Sequence, residues 1–214
     1  MTTAVYFDLD GTLLEYSSPF AELFTRTVPT DASEDMIETY SRNVLAGISQ
    51  SDERPYEQAF DAVRVEYDLD VDPAALAKKY IETEADATRL SPSVRGLVEA
   101  IATQHPTGIL TNGDGRMQRR KIETHGLAEL VDTVIVSGEV GTRKPDNGIF
   151  EIARERLPAD TFVYIGDTFE EDIVPAREAG FETVYIGDDD RPDAPVAASD
   201  MEELAALLRP LLDD

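Results

Sequence analysis

Residues 4–14, Ala4-Val5-Tyr6-Phe7-Asp8-Leu9-Asp10-Gly11-Thr12-Leu13-Leu14, decide how the chain is read. Ala4–Leu9 is short, apolar and rich in Val, Tyr and Phe, and it runs straight into Asp10-Gly11-Thr12. That is the pattern of a buried strand closed by a glycine turn. Two carboxylates, Asp8 and Asp10, therefore stand at the carboxyl end of the first strand.

Four similar segments follow further along the chain: Gly108–Leu110, Thr133–Val136, Phe162–Ile165 and Thr183–Ile186. Helical spacing separates them, as in Val94, Leu97, Val98, Ile101 and again in Ile149, Phe150, Ala153, Leu157. Strands alternating with helices in this way form crossover units and a mainly parallel sheet covered on both faces. Asp200–Leu212 is expected to close the chain as a helix, with Leu204, Leu207, Leu208 and Leu211 as its apolar stripe.

Residues 15–90 break the alternation. No strand is expected there, only four helical stripes. They are Phe20, Leu23, Phe24, Thr27; Met36, Ile37, Tyr40, Val44, Leu45, Ile48; Tyr56, Ala59, Phe60, Val63, Tyr67; and Leu76, Tyr80, Ile81. Ser18 before Pro19, Asp52–Arg54 before Pro55 and Asp72 before Pro73 are helix starts, a cap followed by proline at the first helical position. The expected fold is thus α/β. A Rossmann-like, mainly parallel core is made of 1–14 and 91–214, with an all-helical cap, a four-helix bundle, inserted at 15–90. The linkers are expected near Leu14–Ser18 and Leu90–Ser93. An insert directly after the first strand sits above the edge where such sheets bind ligands, so it is a natural lid.

Composition narrows the function. Forty-two per cent of 214 residues are hydrophobic, enough for a real core, and the absence of cysteine excludes disulfides, thiolate metal sites and cysteine nucleophiles. Forty-four acidic residues against 19 basic ones give a formal net charge of −25, which repels nucleic acid. The acids are spread over nearly every segment and only four lysines are present. A halophilic cytoplasm fits that pattern, since salt shortens the Debye length to about 3 Å at 1 M. The N-terminus has no basic region leading an apolar run, and no apolar stretch approaches the roughly 20 residues of a membrane span. A cytoplasmic protein with no membrane partner is expected, as a monomer or a dimer.

Four pieces of sequence fall at carboxyl ends of the expected strands: Asp8–Leu13, Thr111-Asn112-Gly113, Lys144-Pro145-Asp146, and Gly166-Asp167 with Asp172 five residues on. Singly, each has a plainer reading, the aspartates and Asn112-Gly113 as caps or turns and Lys144 as an exposed residue leading a helix before Pro145. Parallel strands bring them to one edge, so Asp8, Asp10 and Asp167 crowd together. Such crowding is costly unless a cation offsets it or a proton is retained. A hard divalent ion with oxygen ligands answers that cost, and magnesium suits a site that also holds phosphate.

Taken together, these motifs resemble those of the haloacid dehalogenase-like hydrolase superfamily, in that family's order and over essentially the whole chain. The insert resembles the helical cap of its first cap class, and Ser137-Gly138-Glu139-Val140-Gly141 before Lys144 is similar to the same subgroup. The resemblance implies that Asp8 is the nucleophile and Asp10 the general acid and base. Magnesium would be held by the side chains of Asp8 and Asp167 and the backbone carbonyl of Asp10. Thr111 and the Asn112 amide would bind phosphate, Lys144 would bind both Asp8 and phosphate, and Asp172 would hold metal-bound water or Lys144. Asp10 and Asp167 speak against a dehalogenase, whose halide leaves without a proton and without a metal. The expected activity is a phosphatase acting on a small phosphorylated metabolite, with a sugar-phosphate mutase as the alternative.

Other residues have plainer readings. Arg116, Arg119, Arg120 and Lys121 are expected to salt-bridge neighbouring acids and form a solvated face, in preference to guiding an anionic substrate. His105 and His125 are expected at the surface or at helix ends. Tyr16, Arg54 and Tyr56 are the candidates for substrate contact. An inward arginine would suit a carboxylate-bearing ester such as phosphoglycolate, and an aromatic would suit a sugar or nucleotide.

Overall fold

The first strand, β1 (Thr3–Phe7), is buried along its whole length between β4 (Thr107–Thr111) and β6 (Thr161–Gly166). The chain is seen here as a computed structural model that describes residues 1–50, 52–187, 196–198, 203–205 and 208. The sheet order is β5 (Thr133–Val136), β4, β1, β6, β7 (Glu182–Ile186), β8 (Ala197–Ala198), and every described pairing within it is parallel. A strand covered on both faces needs apolar side chains on both, which is why Ala4 to Phe7 shows no polar alternation. Val5 and Phe7 pack with Val94, Val98 and Ile101 of α5 (Pro92–Ala102), whereas Ala4 and Tyr6 pack with Ile149, Phe150 and Ala153 of the helix Asn147–Arg156.

Four helices follow β1: α1 (Phe20–Thr27), α2 (Glu34–Ser49), α3 (Pro55–Glu66) and α4 (Pro73–Asp86). They bury the expected stripes against one another around Phe24, Tyr40, Phe60 and Tyr80, whose neighbouring ring centroids lie 4.5–6.0 Å apart. Asp72 caps α4 by accepting from the Ala74 amide at 3.0 Å, with Pro73 in the first turn. Met117, from the core helix α6 (Gly115–Thr124), is buried in this same apolar cluster. The helical insert is therefore seated on α6.

The structure corrects the sequence reading in three places. The insert does contain strand: β2 (Glu15–Tyr16) and β3 (Thr88–Arg89) pair antiparallel where it leaves and rejoins the core. Two residues on each side are too few for any periodicity to show. β1 ends at Phe7, not Leu9, and β8 extends the sheet beyond the five strands expected. Of the closing helix, only 203–205 and 208 fall among the described residues. They are helical, with Leu204 and Leu208 buried against the core; the rest of Asp200–Leu212 lies outside them.

Candidate active site

The turn after β1 sorts its own side chains. Leu9, Leu13 and Leu14 are buried in the core, and the Leu9 carbonyl accepts from the Leu13 and Leu14 amides at 3.0 and 2.8 Å. With the leucines anchored inward, the intervening carboxylates, Asp8 and Asp10, are presented at the sheet edge. Gly11 sits at φ +83, and a Cβ there would lie 2.2 Å from Asp167 Oδ2, so only glycine permits this approach.

Lys144 is the hub of the first cluster. Its Nζ donates to Asp8 Oδ1 at 2.8 Å, Asp172 Oδ1 at 2.5 Å and the Tyr164 hydroxyl at 2.9 Å, and the side chain is almost wholly buried. Burial alone would lower the lysine pKa, but Asp8 and Asp172 outweigh it and raise it. The Thr168 amide donates to Asp172 Oδ2 at 2.9 Å, and a Cβ on Gly166 would lie 2.6 Å from the Asp172 carboxyl. Asp8, Asp167 and Asp172 each offer a carboxylate oxygen within 4.8 Å of the others. Burial pushes the Asp8 carboxyl up to about 7, with Lys144 opposing and Asp172 assisting. Asp167 is also raised, by burial first and then by Asp172. Three carboxylates share one ammonium, and that deficit of positive charge, met by oxygen donors alone, fits a hard divalent cation.

Asn112 fixes the backbone of Lys144 from both sides. Its Oδ1 accepts from the Lys144 amide at 2.9 Å, and its Nδ2 donates to the Lys144 carbonyl and to Glu171 Oε2, each at 3.0 Å. Thr111, the last residue of β4, is buried; its hydroxyl accepts from Gln118 Nε2 at 2.8 Å and donates to the Asn112 carbonyl at 3.2 Å.

Asp10 belongs to a second cluster. Lys121 Nζ donates to its two carboxylate oxygens at 3.0 and 3.1 Å, Gln118 Nε2 to Oδ2 at 2.8 Å, and the Tyr16 hydroxyl to Oδ1 at 3.0 Å. Lys121 also lies 2.8 Å from Glu84 Oε1, on α4 of the helical insert, and Tyr16 lies 3.1 Å from the same oxygen. The Asp10 side chain is thus turned toward α6 and the insert, while Asp8, Asp167 and Asp172 face one another.

The structure therefore brings Asp8, Lys144, Asp167 and Asp172 together, with Asp10 and Thr111 joined alongside through Gln118. It corrects the reading of the basic run. Arg119 pairs with Glu139 and Arg120 with Glu123, but Lys121 is 2 % exposed and points inward to Asp10. Gln118 and Lys121 are three residues apart, so they share one face of α6, and that spacing was the available signal. Tyr164 and Glu84 gave none, since each reads as an ordinary strand or helix residue. Of the substrate candidates, Tyr16 lies beside Asp10, and Tyr56 is buried in the aromatic cluster. Arg54 is exposed and faces Glu57 at 3.4 Å. It lines a cleft of about 1060 Å³ between insert and core that Asp8 and Asp10 do not border. His125 caps the end of α6 as expected and bonds through Nε2 to Thr88 Oγ1 of β3 at 2.8 Å.

Residues 2–180 match the haloacid dehalogenase-like hydrolase family. The chain is 31% identical over 196 residues to a glyceraldehyde 3-phosphate phosphatase of Methanocaldococcus jannaschii, covering 87% of this chain and 85% of the relative. It is 32% identical over 121 residues to the pyrimidine 5'-nucleotidase YjjG of Escherichia coli, a match spanning 55% of this chain and about half, 54%, of that protein. Among solved structures, the putative HAD-hydrolase YfnB of Bacillus subtilis, bound to magnesium, superposes with a TM-score of 0.75. That match has 24% identity and covers 97% of this chain and 99% of the other, a likeness of fold.

Proposed function

The chain belongs to the haloacid dehalogenase-like hydrolases, and we propose that within them it is a magnesium-dependent phosphatase of small phosphate monoesters working through an aspartyl-phosphate on Asp8. The observation that carries this reading is the pairing of Asp8 with Lys144 at 2.8 Å, with a second carboxyl, Asp10, two residues on in a separate hydrogen-bond network. Asp8 Oδ attacks phosphorus in line, the ester P–O bond breaks, and the leaving oxygen takes a proton from Asp10. Asp10 then accepts a proton from water, whose oxygen attacks the phosphoryl group, freeing phosphate and restoring Asp8. Lys144 compensates charge on Asp8 and on the phosphoryl oxygens, and the Thr111 hydroxyl turns from the Asn112 carbonyl to a phosphoryl oxygen. Asp8, Asp167 and the Asp10 backbone carbonyl would hold magnesium, which when bound supplies positive charge that orients and neutralises the phosphate. Asp172 keeps Lys144 in place.

Residues 15–90, hinged at β2 and β3, act as the lid that excludes bulk water from Asp8. Tyr16 and Glu84 put an aromatic and a carboxylate, with Arg54 turned elsewhere, beside the acid that must touch the leaving group. That supports a neutral, hydroxyl-bearing leaving group over a carboxylate-bearing one. The test is a magnesium-dependent activity screen over sugar, polyol, nucleoside and glycolate monophosphates, at high and low salt. Sugar, polyol or nucleoside esters should lead the panel, with more activity at high salt. No release of phosphate from any ester would sink the reading.

The raised Asp8 carboxyl gives a pH prediction for the metal. A folded-state pKa near 7, above the usual 3.8, means stability is lost as pH rises toward and through 7 in metal-free protein, as Asp8 gives up its proton. Magnesium needs the deprotonated form. Its apparent affinity should therefore fall by about tenfold per unit below pH 7. Thermal melts with and without magnesium should show a larger metal-dependent rise at pH 8 than at pH 5; an equal rise at both would contradict the assignment of Asp8 as a ligand.

A further inference from the structure

Among the described residues, Lys121 is the one buried cation that the reaction above does not use. Its side chain, 2 % exposed, divides its protons among Asp10, Glu84 and the Tyr16 hydroxyl, the last at 2.5 Å. These partners come from three places: the turn after β1, helix α4 of the insert, and the hinge strand β2. A lysine serving only to knit the core would find its acids within the core. This one places the acid of the site on one side and an acid of the lid on the other. Gln118, one turn earlier on the same face of α6, links Asp10 Oδ2 to the Thr111 hydroxyl. The Asp10 carboxyl is thereby held by Gln118 from the core and by Lys121 and Tyr16, the two groups that also meet Glu84 of α4.

Resting on the phosphatase reading, we infer that Lys121, gripped from the lid by Glu84, is a positioning residue that sets the Asp10 carboxyl for its proton transfers, so that seating of the lid is read at the acid. A carboxyl released from Lys121 and Tyr16 would rotate about its side-chain bonds and meet the leaving oxygen only part of the time. The loss should fall on steps that need a proton delivered or removed and should spare attack by Asp8.

The test compares wild type, Lys121→Met, the double variant Lys121→Met with Glu84→Gln, and Lys121→Arg. The double variant removes the more buried of the two acids that the single one leaves without a cation, so it should cost less stability, and a thermal melt checks that it is folded. Each is mixed with magnesium and either glycerol phosphate or 4-nitrophenyl phosphate in a rapid-quench experiment that follows labelling of Asp8. Loss of acid help is worth about 10²-fold, and that fall is expected in the labelling rate with glycerol phosphate. Labelling by the nitrophenyl ester, whose leaving group departs without a proton, should match wild type, and KM should change little. Lys121→Arg, which keeps the charge, should recover part of the glycerol phosphate rate. An equal fractional loss with both esters in the folded double variant, or no loss with either, would overturn the inference. Labelling of Asp8 followed by release of phosphate in wild type reports the phosphatase reading separately.

Discussion

Asp8→Asn is expected to abolish phosphate release from every ester, a loss on the order of 10⁴–10⁶-fold, the scale of removing a covalent nucleophile. An amide nitrogen or oxygen does not displace the ester oxygen, and it is a poorer magnesium ligand than a carboxylate. The fold should accept the change. The asparagine oxygen can still accept from Lys144, and one charge leaves a buried group of three carboxylates sharing a single ammonium. In chelator at pH 8, the variant should therefore melt no lower than wild type. Thermal melts and phosphate-release assays on the same preparations check both halves. A folded Asp8→Asn protein that kept steady turnover would remove Asp8 from the mechanism.

Lys144→Met is the second large effect, and it should cost stability as well as rate. The side chain is buried between Asp8 and Asp172, and methionine leaves those acids without their cation. Removing one partner of a buried ion pair costs about 3–5 kcal/mol, which in a chain of this size lowers the melting temperature by roughly 10 °C. Magnesium should recover part of that loss, because it supplies charge to the same carboxylates. Turnover should fall by at least about 10²–10³-fold, the scale of removing one preorganised charge-stabilising group, and magnesium should not restore it. Melts at several magnesium concentrations, paired with rates on one ester, separate the two effects. A variant as stable as wild type in chelator would mean that Asp8 and Asp172 do not depend on Lys144 for charge.

Most of the fold was legible because its signals are local. Five short apolar runs closed by turns and four amphipathic stripes stand out in the sequence, and the parallel arrangement then delivers Asp8, Thr111, Lys144 and Asp167 to one edge. β2 and β3 were not legible, since a two-residue ladder is selected by the closing of the insert on the core and not by its own composition. Lys121 was misread for a related reason. The run of Arg119, Arg120 and Lys121 reads as a solvated, salt-bridged face; the three-residue spacing to Gln118 hints that Lys121 faces elsewhere, and the seating of α4 on α6 shows that its acids are Asp10 and Glu84. Tyr164 is the converse case: an apolar-looking strand residue whose hydroxyl lies 2.9 Å from Lys144 and 3.1 Å from Asp172, which no local pattern announces. The side chain of Asn112 likewise fixes Lys144 through contacts 32 residues apart.

Asp10→Asn gives the most direct view of the covalent step, because it should separate making the phosphoenzyme from breaking it. The asparagine keeps its backbone carbonyl but can neither protonate an alkoxide nor activate water, help worth about 10²–10⁴-fold. With 4-nitrophenyl phosphate, whose leaving group needs no proton, the phosphoryl group should still reach Asp8 and then stay there. The measurement is rapid-quench mass spectrometry with peptide mapping of Asp10→Asn and Asp8→Asn proteins in magnesium. The account predicts a phosphorylated peptide carrying the label on Asp8 in the first protein and none in the second. Label on any other residue, or label in the Asp8→Asn protein, would contradict it.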